Sequence, residues 1–153
     1  MIIRKGKKED LRQVYDLVLE LAVYENGRDE VNNTIRDMER DGFGPEPVFG
    51  FFVAENKEGI VGVSLYYYRY STWKGKLLYL EDLIVTEKYR RGGIGTMLME
   101  ATITEARKHN CNGIQWQVLE WNEPAIAFYK KYNPVLDGEW INCRIDKGQL
   151  DIL

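Results

Sequence analysis

The sequence predicts an α/β fold in which a single mixed sheet is flanked by helices. Its apolar residues recur at helical spacing in some stretches and form short β-rich runs in others, in the order β-α-α-β-β-β-α-β-α-β. Two of these runs, residues 48–54 and 60–70, are separated by the turn residues 56–59, which is typical of an antiparallel hairpin. The chain has 153 residues, 44% of them hydrophobic, and no repeat, which predicts one domain spanning residues 1–153.

The part of the chain before the hairpin contains one predicted strand and two predicted helices. Residues 2–5 form the strand. The first helix covers residues 8–24, because apolar side chains recur at helical spacing at Leu11, Val14, Val18, Leu21 and Ala22. Thr34 and Asp37 are spaced as in a capping box and predict the start of a second, short helix. Turn residues 41–45 end that helix.

The part after the hairpin alternates strands with helices. Residues 76–85 form a predicted fourth strand, and the third helix begins at the glycine-rich turn that follows it. Residues 114–119 form a fifth strand. Asn122 is placed to cap a fourth helix, whose first turn contains Pro124, where a missing N–H costs nothing. Residues 140–145 form a last strand.

Composition excludes several classes of protein. The net charge is −3 with acids and bases interspersed, so no basic stripe marks a nucleic-acid surface. No apolar run approaches the roughly 20 residues of a membrane span. Cys111 and Cys143 form no C-x-x-C pair and His109 is the only histidine, so neither a metal site nor a disulfide framework is predicted. These features predict a cytoplasmic protein.

The turn before the third helix is a candidate anion site, because Arg90 and Arg91 precede Gly92 and Gly93. Glycines leave backbone N–H groups unobstructed, and a helix N-terminus carries a partial positive charge of about half an electron. The turn lacks the Gly-Lys-Ser/Thr of a Walker A loop, and Leu98 occupies the third small position of a dinucleotide fingerprint. It therefore predicts a phosphate or pyrophosphate site, with a solvated surface turn as the alternative.

Two adjacent acids, Glu81 and Asp82, interrupt the apolar fourth strand. Successive strand residues point to opposite faces, so at least one acid is expected to be partly buried if both faces are covered. Burial raises the pKa of a carboxyl group, which suits a general base working near neutral pH. The alternative is a structural ion pair or an acid at a sheet edge.

These motifs resemble the GCN5-related N-acetyltransferase (GNAT) superfamily. Arg90-x-x-Gly93-x-Gly95 resembles its acetyl-CoA pyrophosphate loop. Residues 70–82, YSTWKGKLLYLED, and residues 120–129, EWNEPAIAFY, resemble the diamine acetyltransferase branch, the spermidine/spermine and thialysine N-acetyltransferases. The resemblance extends over nearly the whole chain. It implies a mostly antiparallel mixed sheet, acetyl-CoA as acetyl donor without a metal, a small-molecule amine as acceptor and a homodimer.

The resemblance also implies a mechanism of direct attack in a ternary complex. Glu81 would take the proton of the amine, which is almost wholly protonated at pH 7 if its pKa is about 10.4, as in lysine. Tyr129 would protonate the leaving thiolate, although by pattern alone it is a core tyrosine. A bulge would separate the fourth strand from the fifth, and main-chain groups of Leu83, Ile84 and Val85 would hold the pantetheine arm and the developing oxyanion.

Two sets of contact residues follow from the resemblance. Acetyl-CoA would contact Leu83, Ile84, Val85, Arg90, Arg91, Gly92, Gly93, Ile94, Gly95, Thr96, Asn122 and Tyr129. The amine channel would be lined by Tyr24, Glu25, Glu81, Asp82, Gln117 and Glu139. Ser71-Thr72 stands where polyamine-acetylating members carry Asp-Pro, so a lysine-like or thialysine-like amine is favoured over spermidine. Aromatic residues that are candidates for a channel wall, or for simple packing, are Tyr66, Tyr67, Tyr68 and Trp73.

Two other functions stay open. One is acetylation of protein lysines or peptide N-termini. The other is a non-catalytic protein that keeps CoA as a sensor. Glu81 and Tyr129 together favour an enzyme, because a sensor needs the glycine-rich turn but neither proton-transfer group.

Overall fold

A computed structural model describes residues 1–153 and divides the chain into two compact units, Met1–Gln117 and Val118–Leu153. The N-terminal unit contains β1 (Ile2–Lys5), α1 (Leu11–Tyr24), α2 (Ile35–Phe43), β2 (Gly50–Asn56), β3 (Gly59–Ser71), β4 (Gly75–Val85), α3 (Ile94–Lys108) and β5 (Ile114–Gln115). The C-terminal unit contains α4 (Glu123–Lys130) and α5 (Lys147–Ile152). A single domain spanning residues 1–153 stays a prediction.

One sheet with the order β1-β2-β3-β4-β5 organises the N-terminal unit. Neighbouring strands are antiparallel from β1 to β4, and β5 is parallel to β4. The predicted hairpin joins β2 and β3, with Asn56 opposite Gly59, whose φ of +115° suits a residue without a Cβ. The predicted α/β fold with a mixed, mostly antiparallel sheet flanked by helices is confirmed.

The two faces of the sheet are covered by different helices. Val63 and Leu65 of β3 belong to the core cluster that includes Leu11 and Val14 of α1. The alternate residue Ser64 accepts a hydrogen bond from the Thr102 hydroxyl of α3, at 3.0 Å. Because successive strand residues point to opposite faces, α1 covers one face and α3 the other.

Both predicted helix caps are present. Thr34 accepts from the Asp37 N–H at 3.1 Å, and the Asp37 carboxylate accepts from the Thr34 N–H at 3.2 Å. Asn122 Oδ1 accepts from the Ala125 N–H at 3.4 Å, with Pro124 in the first turn of α4. Each cap satisfies an N–H that has no partner within its own helix.

A β-bulge interrupts β4 at Glu81. Leu80 lies opposite Tyr66 and Asp82 lies opposite Leu65, so Glu81 has no counterpart in β3. On the other side of β4, β5 pairs only with Leu78 and Tyr79, which precede the bulge. The bulge implied by the family resemblance is therefore present, and the pairing of β4 with β5 stops before it.

Two strand predictions near the C-terminus are wrong in extent or in kind. The fifth strand ends at Gln115 instead of residue 119. Residues 140–145 form no strand, and side chains such as Trp140 and Ile141 are 73% and 87% exposed. An alternating apolar pattern makes a strand only where a neighbouring strand pairs with it and covers one face. Helix α5 was not predicted from the sequence, although Asp146 and Gln149 form a capping box at its start.

Candidate active site

A cavity of about 230 Å³ lies between α1 and the sheet, and we call it the acidic cavity. Glu81 and Asp82 both line it, together with apolar side chains that include Val18, Met38 and Leu65. Strict alternation along β4 would send two successive side chains to opposite faces. The bulge at Glu81 breaks that alternation and brings both carboxylates to one side of the sheet.

The acidic cavity raises the pKa of Asp82. Burial, with the added charges of Glu81 and Glu25, raises the pKa of Asp82 to about 7. Burial also raises the pKa of Glu25, the residue that follows α1. Asp82 is partly buried, as the sequence predicts for at least one of the pair, and Glu81 is exposed. Two other predicted substrate contacts, Glu25 and Glu81, thus lie within electrostatic range of Asp82.

Two stacked tyrosines border Glu81. The Tyr67 hydroxyl donates to Glu81 Oε2 at 3.3 Å, and the Tyr67 ring stacks on Tyr79 with centroids 5.2 Å apart. Burial and the Glu81 charge raise the pKa of Tyr67 to about 12, so its hydroxyl remains a donor at neutral pH. The Arg69 guanidinium lies 5.7 Å from the Tyr79 ring centroid and adds a cation beside this pair.

Only one of the four predicted wall aromatics borders the acids. Tyr66 stacks on Phe52, and Tyr68 contacts the His109 ring of α3, so both lie on the face opposite Tyr67. Trp73 is 83% exposed in the turn between β3 and β4. Tyr79 was not predicted as a site residue, because no pattern in the sequence YLED distinguishes it from a packing residue.

The predicted anion site lies in the glycine loop, residues 90–95, which leads into α3. Gly93 has φ +83°, a conformation that favours glycine, and it precedes α3 without a side-chain cap on the helix N-terminus. A Cβ built on Gly93 meets nothing within 4 Å, so open space lies in front of the loop. Arg91 also has a left-handed φ, +66°, and its side chain is exposed. Open space, a basic side chain and an uncapped helix N-terminus fit a diphosphate.

Arg90, the other predicted phosphate contact, has partners within the chain. Its Nε donates to the Val85 carbonyl at 2.8 Å, and its Nη2 lies 3.4 Å from Glu20 Oε1. Its guanidinium lies 5.5 Å from the ring centroid of Tyr24, a predicted substrate contact. Glu20 is a residue that the sequence analysis missed, and the only signal for it is its place one helical turn before Tyr24.

The remaining predicted contacts of the N-terminal unit flank these features. Leu83, Ile84 and Val85 follow the bulge, and Ile84 points into the α1 core. Thr96 lies in the first turn of α3. Gln117 is exposed and lies two residues beyond β5. Residues 86–89, which include a short 3-10 helix at Glu87–Tyr89, connect β4 to the glycine loop.

Three predicted site residues belong to the C-terminal unit. Asn122 is buried and caps α4. Tyr129 is buried in α4, where its ring meets the edge of Phe128 at a centroid distance of 5.3 Å. Glu139 is exposed in a segment without regular secondary structure.

No group of three or more His, Cys, Asp or Glu side chains is arranged to hold a metal ion. None of the helices has the length and apolar character needed to cross a bilayer.

Comparison with known proteins gives a family and several relatives. The model of the acetyltransferase (GNAT) family matches residues 11–133. Over 138 residues the chain is 37% identical to thialysine N-epsilon-acetyltransferase of Bos taurus, covering 85% of this chain and 81% of that protein. It is 33% identical to the Caenorhabditis elegans protein of the same name, covering 91% and 88%. It is 36% identical to human spermidine/spermine N(1)-acetyltransferase-like protein 1, covering 83% of this chain and 19% of that protein.

Solved structures share the fold. A mutant of the BH1408 protein from Bacillus halodurans has a TM-score of 0.77 at 25% identity, covering 95% of this chain and 99% of that one. An integron cassette protein of V. cholerae has a TM-score of 0.77 at 25% identity, covering 99% and 95%. An aminoglycoside acetyltransferase from a soil metagenomic sample, in complex with sisomicin, has a TM-score of 0.76 and covers 95% of each chain. Its 19% identity shows the fold alone.

Proposed function

The chain belongs to the acetyltransferase (GNAT) family and is an N-acetyltransferase, and we propose that it transfers an acetyl group from acetyl-CoA to a primary amine of a small molecule. The thialysine and spermidine/spermine-like acetyltransferases among its relatives support an amine of the diamine class. Within that class we propose a lysine-like or thialysine-like acceptor, because Ser71-Thr72 replaces the Asp-Pro of polyamine-acetylating members.

The observation that carries this proposal is the bulge at Glu81. It brings Glu81 and Asp82 into one cavity on the strand that leads directly to the glycine loop. Carboxylates in a partly apolar cavity suit an amine with a second cationic centre, because the partly buried Asp82 and its neighbour Glu81 gain a counter-charge when it binds. The cavity contains Glu81 itself, so the proposed base and the proposed amine site coincide.

The residues at the glycine loop fit coenzyme A. The open space at Gly93 and the uncapped start of α3 suit the diphosphate, with Arg91 as a cation beside it. Main-chain groups of Leu83, Ile84 and Val85 would hold the pantetheine arm, which is supported by the limited pairing of β4 with β5. When bound, acetyl-CoA supplies the activated acetyl thioester.

Two side chains, Glu81 and Tyr129, would carry out the proton transfers of the reaction. Glu81 would accept the proton of the substrate ammonium, directly or through a water, because only the neutral amine can attack the thioester. The Tyr129 hydroxyl would donate a proton to the departing thiolate. Support for Tyr129 comes from the match of residues 120–129 to the diamine acetyltransferase branch. Tyr24, Glu25, Gln117 and Glu139 complete the proposed set of amine contacts.

We further propose a homodimer that acts in the cytoplasm. Large apolar side chains of the C-terminal unit are exposed, including Val135 at 93% and Ile141 at 87%, which supports a protein surface that covers them. Both cysteines are free, as is usual in a reducing compartment. Sedimentation equilibrium tests the dimer, and a single monomeric species at micromolar concentration would contradict it.

Thiol release from acetyl-CoA tests the function itself. The purified chain is assayed with thialysine, lysine, ornithine, spermidine, an amino sugar and a lysine-containing peptide. We expect kcat/KM to be highest for thialysine or lysine. A clear preference for the peptide would replace the proposal by protein acetylation, and release that no amine accelerates would replace it by a CoA sensor.

A further inference from the structure

Glu20, on α1, contacts the chain segment that leads from β4 into the glycine loop. One carboxylate oxygen, Oε2, accepts from the Thr86 hydroxyl at 2.9 Å. The other, Oε1, accepts from the Glu87 N–H at 3.0 Å and lies 3.4 Å from Arg90 Nη2. One side chain thus holds the first, second and last residues of segment 86–90.

The same contacts fix the position of Arg90. Its guanidinium is shared among the Val85 carbonyl, Glu20 and the face of the Tyr24 ring. Glu20 and Tyr24 are four residues apart on α1, so both reach the guanidinium from one face of that helix. Arg90 therefore joins α1 to the end of β4, whereas Arg91 projects from the loop as an exposed cation.

We propose that Glu20 is a positioning residue for the coenzyme, acting through segment 86–90 and Arg90 to hold the glycine loop in the form that receives the diphosphate. This inference rests on the proposed use of acetyl-CoA. A loop that is held before binding loses less conformational entropy when its N–H groups engage an anion, so affinity rises without any direct contact from Glu20. In this arrangement Arg90 connects α1 to the end of β4. Arg91 and the backbone N–H groups of the glycine loop face the diphosphate.

A competing account makes the opposite prediction for the same residue. If Arg90 bound the diphosphate directly, the negative charge of Glu20 would compete with the phosphate for the guanidinium. Removing that charge would then strengthen coenzyme binding. If Glu20 instead holds the loop, removing its side chain weakens binding. The sign of the change in affinity therefore separates the two accounts.

Asp16 provides a matched control. It lies one helical turn before Glu20 on α1, lines a surface groove together with Glu20 and Thr86, and makes no side-chain hydrogen bond. Glu20→Ala and Asp16→Ala both remove one negative charge, and alanine favours the helix in each case. A difference in coenzyme A affinity between the two variants therefore results from the contacts of Glu20 with segment 86–90.

The experiment measures coenzyme A binding by calorimetry and steady-state kinetics with two acetyl donors. We expect Glu20→Ala to weaken binding of coenzyme A about ten-fold and to raise KM for acetyl-CoA similarly, while kcat and KM for the amine change less than about two-fold. Glu20→Gln, which keeps one acceptor oxygen, should give a smaller loss. Asp16→Ala should bind coenzyme A as the unmodified protein does.

The second donor is S-acetylpantetheine, which carries the thioester but no diphosphate. With it, Glu20→Ala and the unmodified protein should have equal kcat/KM, a result that general destabilisation would not produce. Tighter binding of coenzyme A by Glu20→Gln, or equal binding by Glu20→Ala and Asp16→Ala, overturns the positioning role alone. Failure of the unmodified protein to bind coenzyme A overturns both this role and the proposed function.

Discussion

The two faces of the sheet shift the pKa of a carboxyl group in opposite directions. On the α3 face, Glu105 is 5% exposed and contacts two basic side chains, Lys5 Nζ and His109 Nε2, each at 2.9 Å. Burial alone would raise its pKa, but the hydrogen bonds and charges of Lys5 and His109 lower it overall. On the α1 face, burial raises the pKa of Asp82, and the charges that act on it come from Glu81 and Glu25.

From this difference we propose that Glu105 serves the fold and that Asp82 serves the amine site. A carboxylate with cations beside it is stable when charged, and it stabilises the structure that surrounds it. A carboxyl group whose charged neighbours are also acids destabilises the fold at neutral pH, unless a cation from outside binds. Desolvation acts on the carboxyl group at both faces, so the neighbouring side chains decide whether its pKa is raised or lowered.

The largest expected effect is that of Glu81→Gln. We expect kcat to fall about 100-fold or more, because the amide cannot accept the proton of the ammonium. The remaining rate should rise with pH toward the pKa of the free amine, about 10.4, since the fraction of neutral amine then limits it. Thiol release at several pH values measures both changes. Unchanged kcat would refute the role of Glu81.

Tyr129→Phe is expected to have the next largest effect. Loss of the hydroxyl should lower kcat roughly 30-fold through loss of the proton donor, with binding of coenzyme A largely kept. Tyr66→Phe, at a buried tyrosine on the α3 face, serves as the control and should leave kcat unchanged. Equal rates for the two variants would show that Tyr129 only packs.

Glu105→Gln tests whether the carboxylate of Glu105 stabilises the fold. Two charged hydrogen bonds are weakened, so the free energy of unfolding should fall by about 1–2 kcal/mol. Because Lys5 and His109 are partly exposed and can be solvated, the loss should be no larger. Urea unfolding gives this number, and kcat/KM at 25 °C should match that of the unmodified protein. A ten-fold loss of activity would mean that the α3 face takes part in catalysis.

Asp82→Asn tests whether Asp82 contributes to binding of the amine. The neutral amide cannot hold a cation, so KM for lysine or thialysine should rise about ten-fold. An amine with no second cationic centre, such as butylamine, should show a smaller change. An equal rise for both amines would place the lost contact at the reacting nitrogen and not at the second charge.

The last expected effect is the pH dependence of stability. Asp82 has a pKa of about 7 in the fold and an ordinary value near 4 when unfolded, so the folded state binds more protons between these pH values. Stability contributed by Asp82 therefore falls as pH rises from about 4 to 7. Asp82→Asn removes this loss, and its gain in Tm over the unmodified protein should be roughly 5–10 °C larger at pH 8 than at pH 5. A gain that is the same at both pH values would contradict the raised pKa.

Local signals account for the parts of the fold that could be predicted from the sequence. The Thr34 and Asn122 caps depend on residues within one helical turn, and both are present as predicted. The glycine loop is also local, since Gly93 follows a strand and opens a helix. The resemblance to a family added the bulge, which no residue pattern in β4 reveals.

Tertiary contacts decided the rest. The sequence determined that two acids sit in an apolar strand, but only the register of β4 against β3 placed Glu81 and Asp82 in one cavity. Glu20 became relevant because α1 packs beside a loop 66 residues further along the chain. Residues 140–145 carry a strand pattern without forming a strand, because strand formation requires a neighbour that the pattern does not specify. Caps and glycine turns depend on near neighbours in sequence, whereas registers, cavities and pKa values depend on which distant residues come together.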